Sequence, residues 1–296
     1  MIGPQDHEEK LRMQQRIAEE DERARHQDEE EQAHTAYLRM RLGDRYMKAG
    51  NARRAIGEYK RAVQMDARNA QFRTRLGDAY VFLEMVAQAM TQYREAIRNE
   101  PSLADPHASL GDLYARFGMM NEAIECYQNA VELSPDRAFF RYKLAELYFI
   151  LRRAEDAIEH LERAVEMAPQ DAFYHFRLGD FHQRLEQAED AAGHFQECAR
   201  LAPYDDYYHA RLAASCLALG RTRDAIESYR QAVILDPHNR CYQMLLADAY
   251  LEAGMKNHAA WHQERAGDLD EYDAEFVRRR RAEARCGRPP LPVLEP

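Results

Sequence analysis

The apolar and small residues of the chain recur with a period of 34 residues. The tripeptide Leu-Gly-Asp begins at residues 42, 76, 110 and 178, and Leu-Ala stands in its place at residues 144, 212 and 246. Seven copies without insertion or deletion therefore follow one another: 36–69, 70–103, 104–137, 138–171, 172–205, 206–239 and 240–273. A pattern that stays in register over seven copies indicates an architecture of stacked repeats.

Each copy predicts two short helices, with positions counted from the start of the copy. In copy two, Leu76 at position seven and Gly77 at position eight stand four and three residues before Tyr80, so all three share one helical face. Ala at position twenty and a bulky residue at position twenty-four mark the second helix, and the bulky residue is expected to fill the notch beside the small one. Four copies have glycine at position fifteen, which predicts a left-handed residue where the first helix ends. These glycines are Gly50, Gly118, Gly220 and Gly254.

This pattern resembles the tetratricopeptide repeat (TPR) family over seven times 34, or 238, of the 296 residues. Small and aromatic residues at positions eight, eleven, twenty, twenty-four and twenty-seven carry the resemblance, together with proline at position thirty-two in copies two to six. That proline is expected in the first turn of the next helix. The resemblance implies an all-α fold, a right-handed α-solenoid (superhelix) of seven TPR helix hairpins with a C-terminal capping helix. Stacking is required because one hairpin cannot bury its apolar face alone.

Two features depart from the family pattern. Position four, which is often large and apolar in the family, is polar in every copy. The residues there are Arg39, Arg73, His107, Arg141, His175, His209 and Gln243. An aromatic residue at position three of several copies is expected to take over the packing, and Ala67 replaces the proline of copy one.

The flanks differ from the repeats in charge. Residues 1–35 carry 11 acidic and 5 basic side chains and are expected to form an acidic N-terminal helix or disordered arm. Such an arm could also bind a basic partner or fold over the groove. Residues 274–296 are expected to hold the end of the capping helix and a basic, proline-rich tail. We interpret the run from Arg278 to Arg281 as a solvated helix end, with nucleic acid, acidic lipid or the acidic arm as alternative partners.

Composition excludes several classes of protein. The formal net charge is -10, which argues against a nucleic-acid partner, because non-specific affinity for phosphates needs clustered Lys and Arg. The mean hydropathy is -0.72 and no stretch approaches the ~18 apolar residues of a membrane span. No secretory signal is visible. The five cysteines are odd in number and lack Cys-x-x-Cys spacing, which favours free thiols and a cytoplasmic location. Cys198 and Cys216 fill small positions of the repeat and are expected in the core.

No residues are predicted to be catalytic, and no cofactor is expected. Gly-x-Gly-x-x-Gly, P-loop and Gly-x-Ser-x-Gly motifs are absent, and repeats occupy every stretch long enough for an enzyme domain. His258 and His262 stand four residues apart on a helix, a spacing that can bind zinc. The sequence places no third ligand beside them, so no metal is expected. The histidines at position four follow from the repetition and need no ligand role.

The predicted site is a groove lined by the first helix of each hairpin. In proteins that resemble this one, positions two, five, six, nine, twelve and thirteen face that groove. Here position six forms a basic row and position nine an acidic row; ion pairs within a helix, such as Arg177 with Asp180, would support the helices, and partner recognition would be an added role. Aromatic residues concentrate in copies four to six, and aromatics beside arginine are typical of interface centres. The predicted partner-binding residues are Phe139, Tyr142, Lys143, Glu146, Phe149, Phe173, Phe176, Arg177, Asp180, Tyr207 and Arg211.

The sequence therefore predicts a non-enzymatic scaffold or adaptor. It would bind a peptide or helix of a partner protein in the concave groove, with apolar side chains against the aromatics of copies four to six. The alternative is a structural or self-assembling TPR subunit of a larger enzyme complex, with contacts through its ends or its convex face. Homo-oligomerisation is left open by the sequence.

Overall fold

The part of the chain that the structure describes is helical throughout. The computed structural model describes residues 30–268, with fourteen helices and no strand in that range. The helices are α1 (30–48), α2 (Ala52–Met65), α3 (Ala70–Phe82), α4 (Val86–Asn99), α5 (Ala104–Arg116), α6 (Met120–Leu133), α7 (Ala138–Ile150), α8 (Ala154–Met167), α9 (Ala172–Arg184), α10 (Ala188–Leu201), α11 (Asp206–Ala218), α12 (Thr222–Leu235), α13 (Arg240–Glu252) and α14 (Lys256–Asp268). Helix α1 runs through residues 35 and 36 without a break. The predicted arm before residue 30 and the predicted capping helix and basic tail after residue 268 lie outside the described residues.

The helices form hairpins that repeat at the spacing of the sequence pattern. From α3 to α13, first helices of 13 residues alternate with second helices of 14, and the first helices begin 34 residues apart. Four of these first helices follow an Asn or Asp whose side chain accepts a backbone N–H of the first turn, which satisfies a donor that the helix itself leaves unpaired. These capping residues are Asn69, Asp171, Asp205 and Asn239.

A left-handed residue ends the first helix of each hairpin. The four glycines at position fifteen have φ between 68° and 75°, which confirms their predicted role. The same position is left-handed in the three copies that lack glycine: Glu84 has φ 59°, and Arg152 and Glu186 have φ 61°. The turn geometry therefore belongs to the repeat, and three non-glycine residues adopt a conformation that disfavours a Cβ.

Small residues let the two helices of a hairpin approach closely. A Cβ added to Gly77 would lie 2.5 Å from Cε1 of Tyr93, and one added to Gly179 would lie 2.9 Å from Cε1 of Phe195. Gly43 and Gly111 meet the ring at position twenty-four in the same way. The alanines at position twenty are fully buried in all seven copies. The predicted notch, filled by the bulky residue of the second helix, is confirmed.

The prolines at position thirty-two lie outside the helices. Pro101 stands in the turn between α4 and α5, three residues before α5 begins, so the expectation that proline occupies the first turn of the next helix is wrong. Its carbonyl accepts from Nε2 of His107, at 3.3 Å. His209 reaches Pro203 in the same way, at 3.0 Å. The proline thus shapes a loop that the polar residue at position four fastens.

The polar residues at position four bond to backbone and to the second helix instead of packing apolar surface. Arg73 donates from Nε to the Ala67 carbonyl at 2.9 Å and from Nη1 to Oε1 of Gln92 at 3.3 Å. The aromatic residue at position three packs in the core instead, as predicted: Phe72 is 4% exposed and Phe140 is 1% exposed. In five copies the departure from the family pattern therefore exchanges one apolar contact for a hydrogen bond that ties the hairpin to the loop before it.

The described residues form two compact units that meet in sequence between Leu147 and Tyr148. In unit 1, α2 packs on α3, α3 on α4, α4 on α5 and α5 on α6; in unit 2 the same succession runs from α8 to α14. Within each of these successions a helix packs on the next, and the small and aromatic residues of the repeat form the core between them. This is the arrangement of an all-α solenoid.

Candidate partner-binding surface

All eleven predicted partner-binding residues lie on first helices of hairpins. Helix α7 carries five of them, α9 carries four and α11 carries two. Phe139, Tyr142, Lys143 and Glu146 belong to unit 1, and Phe149 belongs to unit 2 with the residues of α9 and α11. Each unit thus presents its own set.

The predicted residues differ in how far they reach solvent. Phe139 is 42% exposed, whereas Tyr142 and Phe176 are only 9% and 8% exposed. Asp180 is 3% exposed. The others are half-buried: Lys143, Glu146, Phe149, Phe173, Arg177, Tyr207 and Arg211. Burial therefore leaves four of the six predicted aromatic rings with accessible surface, and binding of a partner by these residues stays a prediction.

In unit 1 the exposed ring of Phe139 has a cation beside it. The Phe139 centroid is 6.0 Å from that of Tyr142, and the ammonium of Lys143 lies 5.7 Å from the Phe139 centroid. Lys143 also pairs with Asp112 of the preceding hairpin, at 3.0 Å. The accessible ring therefore sits beside a charge that already has its own carboxylate.

In unit 2 the buried carboxylate of Asp180 holds two guanidinium groups. Nη2 of Arg211 lies 2.8 Å from its Oδ1, and Nε of Arg184 lies 3.0 Å from its Oδ2. The Arg211 side chain is 15% exposed, whereas that of Arg184 is 50% exposed. Removing one partner of a buried ion pair costs about 3–5 kcal/mol, because the other charge is left uncompensated. Asp180 therefore has a structural role whether or not it also binds a partner.

Arg211 joins α11 to α9 through both charge and ring contacts. It donates to the Tyr207 hydroxyl at 3.0 Å and to Oε1 of Gln183 at 2.6 Å. Its guanidinium carbon lies 5.1 Å from the Phe195 centroid and 5.7 Å from those of Phe176 and Tyr207. Cation–π contacts of this kind add about 1 kcal/mol each where water is partly excluded.

Arg184 lies beside a stacked pair of aromatic rings at the end of α9. Phe149 and Phe181 stack with centroids 4.2 Å apart and planes inclined by 19°. The guanidinium carbon of Arg184 lies 5.7 Å from the Phe149 centroid. Phe181 is 1% exposed while Phe149 is half-buried. The stack therefore fixes Phe149 and presents part of its ring beside a cation.

The basic row at position six pairs with the acidic row of the preceding copy, which the sequence did not reveal. Lys143 reaches Asp112 at 3.0 Å and Arg211 reaches Asp180 at 2.8 Å. Arg75 lies 3.9 Å from both Asp44 of the preceding copy and Asp78 of its own helix. The sequence shows a basic row and an acidic row with the same spacing. That spacing is equally compatible with ion pairs within a helix and with ion pairs to the preceding copy.

The aspartate at position nine has a second role within the hairpin. The Tyr59 hydroxyl donates to Oδ1 of Asp44 at 2.7 Å, and the Tyr93 hydroxyl donates to Oδ1 of Asp78 at 2.8 Å. Burial raises the pKa of the Asp78 carboxyl, and the Tyr93 hydrogen bond acts in the opposite direction. The acidic row therefore stabilises hairpins as well as contacts between them.

Three histidines of copy five lie together between α9 and α10. Nδ1 of His175 is 3.4 Å from Nδ1 of His194, whose ring stacks on His182 at 5.6 Å. Burial, and then the neighbouring charges of His182 and His175, lower the pKa of His194 to about 4. Nε2 of His175 lies 3.1 Å from the Pro169 carbonyl, the contact that position four also makes in other copies.

No metal-binding cluster emerges from residues 30–268, whose free cysteines are the buried Cys126, Cys198 and Cys216 and the exposed Cys241. No group of three or more His, Cys, Asp or Glu side chains in that range could hold a metal ion. Cys198 and Cys216 are buried, as predicted, and burial raises the pKa of the Cys198 thiol to about 12. A thiol with so high a pKa is a poor nucleophile. None of the described helices is both long and apolar enough to cross a membrane.

Family models of the tetratricopeptide repeat match most of the repeat region. One matches residues 40–104, 76–138, 108–172 and 142–206, and a second matches residues 206–239. Together they cover more than half of the chain. No curated protein matches the sequence.

Solved structures share the fold at low identity. YrrB, a TPR protein with an unusual peptide-binding site, is 18% identical with a TM-score of 0.53, over 65% of this chain and 97% of that one. The MamA protein is 21% identical with a TM-score of 0.53, over 58% of this chain and 94% of that one. PilF of Pseudomonas aeruginosa is 19% identical with a TM-score of 0.53, over 71% and 97%. Likeness at this level of identity shows the fold alone.

Proposed function

We propose, because the chain belongs to the tetratricopeptide repeat family, that it is a non-enzymatic scaffold that binds a segment of a partner protein along the first helices of its hairpins. A succession of hairpins presents many side chains in fixed register, which suits recognition of an extended or helical segment. The peptide-binding site of YrrB, which has the same fold, supports this mode. A cytoplasmic location is part of the proposal.

The observation that carries the proposal is the pairing of accessible aromatic rings with cations. Lys143 lies beside Phe139, Arg184 beside Phe149 and Arg211 beside Tyr207. Aromatic and arginine side chains concentrate at the energetic centres of protein interfaces, where they combine large contact area with directional hydrogen bonds. Rings that packing already holds in place lose little conformational entropy when a partner binds.

The test is capture of partner proteins from native lysate. The variant Phe139→Ala with Phe173→Ala removes two accessible rings and should abolish capture while the helical circular dichroism stays unchanged. Phe176 is unsuited to the test because it packs against the core ring of Phe195, at 6.0 Å. The matched control is Ile234→Ala, which removes a side chain that is 63% exposed on a second helix. Capture that survives the double substitution would refute binding along the first helices.

The same preparation tests the structural alternative, a self-assembling subunit. Self-assembly through ends or convex face predicts a sedimentation coefficient that rises with protein concentration and does not change in the double variant. The proposed scaffold predicts a constant coefficient over the same range. The two functions are therefore separated by one sedimentation series.

A further inference from the structure

The guanidinium of Arg184 is held in place and still open to solvent. Its Nε lies 3.0 Å from Oδ2 of Asp180, an ion pair without hydrogen-bond geometry, and its side chain is 50% exposed. The ring of Phe149 lies beside it, with 5.7 Å between guanidinium carbon and centroid. A guanidinium has five N–H donors, so pairing through Nε leaves both Nη groups for another acceptor. The ion pair that Arg184 makes within residues 30–268 runs through Nε to Asp180.

The charge at this place is incompletely balanced. Asp180 supplies one carboxylate to the two guanidinium groups of Arg184 and Arg211. The Asp180 side chain is only 4% exposed, so its negative charge acts on the two arginines inside the structure. A guanidinium is weakly hydrated and matches the planar geometry of a carboxylate, which makes a fixed and partly desolvated one a favourable receptor for that group.

Other cations of the same rows have a carboxylate of their own. Lys143 pairs with Asp112 at 3.0 Å, and Arg116 pairs with Glu84 at 3.5 Å. In copy six, position nine is Ala214, so the acidic row does not continue beyond Asp180 into the next hairpin. The cluster of Arg184, Arg211 and Asp180 thus holds two positive charges and one negative charge, whereas copy five as a whole (residues 172–205) has three basic and six acidic side chains.

Apolar surface lies next to the cation. Phe149 is half-buried against Phe181, with 4.2 Å between centroids. Ile150, the next residue, is 58% exposed and holds in copy four the position thirteen that Arg184 holds in copy five. A ligand that reaches Arg184 therefore meets accessible apolar side chains beside it.

We infer that unit 2 recognises a protein segment in which an acidic side chain stands beside apolar ones, and that Arg184 receives the carboxylate through its Nη groups while Phe149 and Ile150 contact the apolar neighbours. The inference rests on the proposed function and names the chemistry of the partner. Asp180 acts here as a positioning residue, since it orients Arg184 and does not face the ligand.

The experiment uses fluorescence polarisation of the full chain with labelled synthetic peptides. One peptide alternates glutamate and leucine, a second alternates lysine and leucine, and a third alternates glutamate and serine. At low salt the glutamate–leucine peptide should bind at least about tenfold more tightly than either control, and about 0.5 M NaCl should weaken it several-fold.

Variants locate the site. Arg184→Glu should lower the affinity for the glutamate–leucine peptide by about tenfold or more and raise the affinity for the lysine–leucine peptide, because the charge is reversed at a half-exposed position. The matched control is Arg116→Glu, at the same repeat position and 51% exposed, which should leave affinity within about twofold. Arg184→Lys should fall between them because it loses the planar pair of donors.

Equal binding of the lysine–leucine peptide, no binding of the glutamate–leucine peptide, or unchanged affinity in Arg184→Glu would each overturn the inference. The lysate capture described above tests aromatic rings, and its substitutions change no charge. Capture that depends on Phe139 and Phe173 together with failed peptide discrimination would leave the scaffold function standing and remove only the acidic partner.

Discussion

The notch between the helices of a hairpin allows a direct test by adding one methyl group. In Gly77→Ala the new Cβ would lie 2.5 Å from Cε1, 2.8 Å from Cδ1 and 2.9 Å from Cζ of Tyr93. Tyr93 is 2% exposed, so its ring has no free space to enter. Either the helices separate or the ring shifts, and a shift strains the hydrogen bond from the Tyr93 hydroxyl to Asp78, which is 2.8 Å long.

The expected cost follows from three contributions. Overpacking of a filled site costs about 1–3 kcal/mol. Weakening a hydrogen bond to a carboxylate adds about 1–2 kcal/mol, and the better helix propensity of alanine returns about 1 kcal/mol. We therefore expect Gly77→Ala to lower the free energy of unfolding by about 1–4 kcal/mol. The control Gly57→Ala, where a Cβ would meet nothing within 4 Å, should raise it by about 0.5–1 kcal/mol.

The assay is urea unfolding followed by far-ultraviolet circular dichroism, with the midpoints compared at equal slope. A double-mutant cycle identifies the cause. Copy six combines Ala213 with the buried ring of Tyr229 and has Ala214 where other copies have an acid, so its ring has no carboxylate there to hold it. Adding Asp78→Ala to Gly77→Ala should therefore cost less than the sum of the two substitutions. Gly77→Ala as stable as the native chain, or strict additivity in the cycle, would refute the account.

Two further predictions concern the turns and the histidines of copy five. Glu186 has φ 61° at the position where four other copies have glycine. Glu186→Gly should raise the free energy of unfolding, measured by urea unfolding, by about 0.5–1 kcal/mol, because the strain of a left-handed Cβ exceeds the backbone entropy of glycine. Gly220→Glu, at the same position with φ 68°, should do the opposite, and equal midpoints for both would contradict the strain argument. The pKa of His194, lowered from 6.5 to about 4 by burial and then by His182 and His175, disfavours protonation of the folded state, while Asp190 and Glu197 act against that shift. The unfolded chain protonates first, so stability should fall as the pH drops from about 6.5 towards 4, by about 1–2 kcal/mol after solvent screening. His194→Gln should flatten that decline while His238→Gln, at an exposed site, should not, and identical pH profiles of the two variants would count against His194 as the cause.

The helices, their turns and the notch between them could be predicted because they depend on residues inside one 34-residue copy. The spacing of Gly77 and Tyr93 determines their contact once both lie on helices of one hairpin. Contacts between copies could not be assigned in the same way. Arg211 stands three residues before Ala214 on its own helix and pairs with Asp180 of the preceding copy, and the choice between neighbours depends on how hairpins stack, which the spacing leaves undetermined.

The accessibility of the predicted site was equally hard to foresee. Position five was assigned to the open face by family register, yet Tyr142 and Phe176 are buried there. A large ring at that position packs against its neighbours and becomes buried by them, because removing its apolar surface from water lowers the free energy. Periodicity identifies the face on which a side chain lies. The size of the side chains on the next hairpin decides how much of it remains exposed.

Copy five shows how a single missing hydroxyl converts a structural residue into part of a candidate site. In copies one and two position twenty-four is tyrosine, and the hydroxyls of Tyr59 and Tyr93 donate to the aspartate at position nine. In copy five that residue is Phe195, which has no donor, so the carboxylate of Asp180 pairs with Arg184 and Arg211 instead. A buried carboxylate must find compensating charge, and the compensation here fixes a half-exposed guanidinium beside accessible aromatic surface. The departure from the pattern of copies one and two therefore coincides with the surface that we propose as the receptor for an acidic partner. Departures from the local pattern of a fold are expected at functional sites.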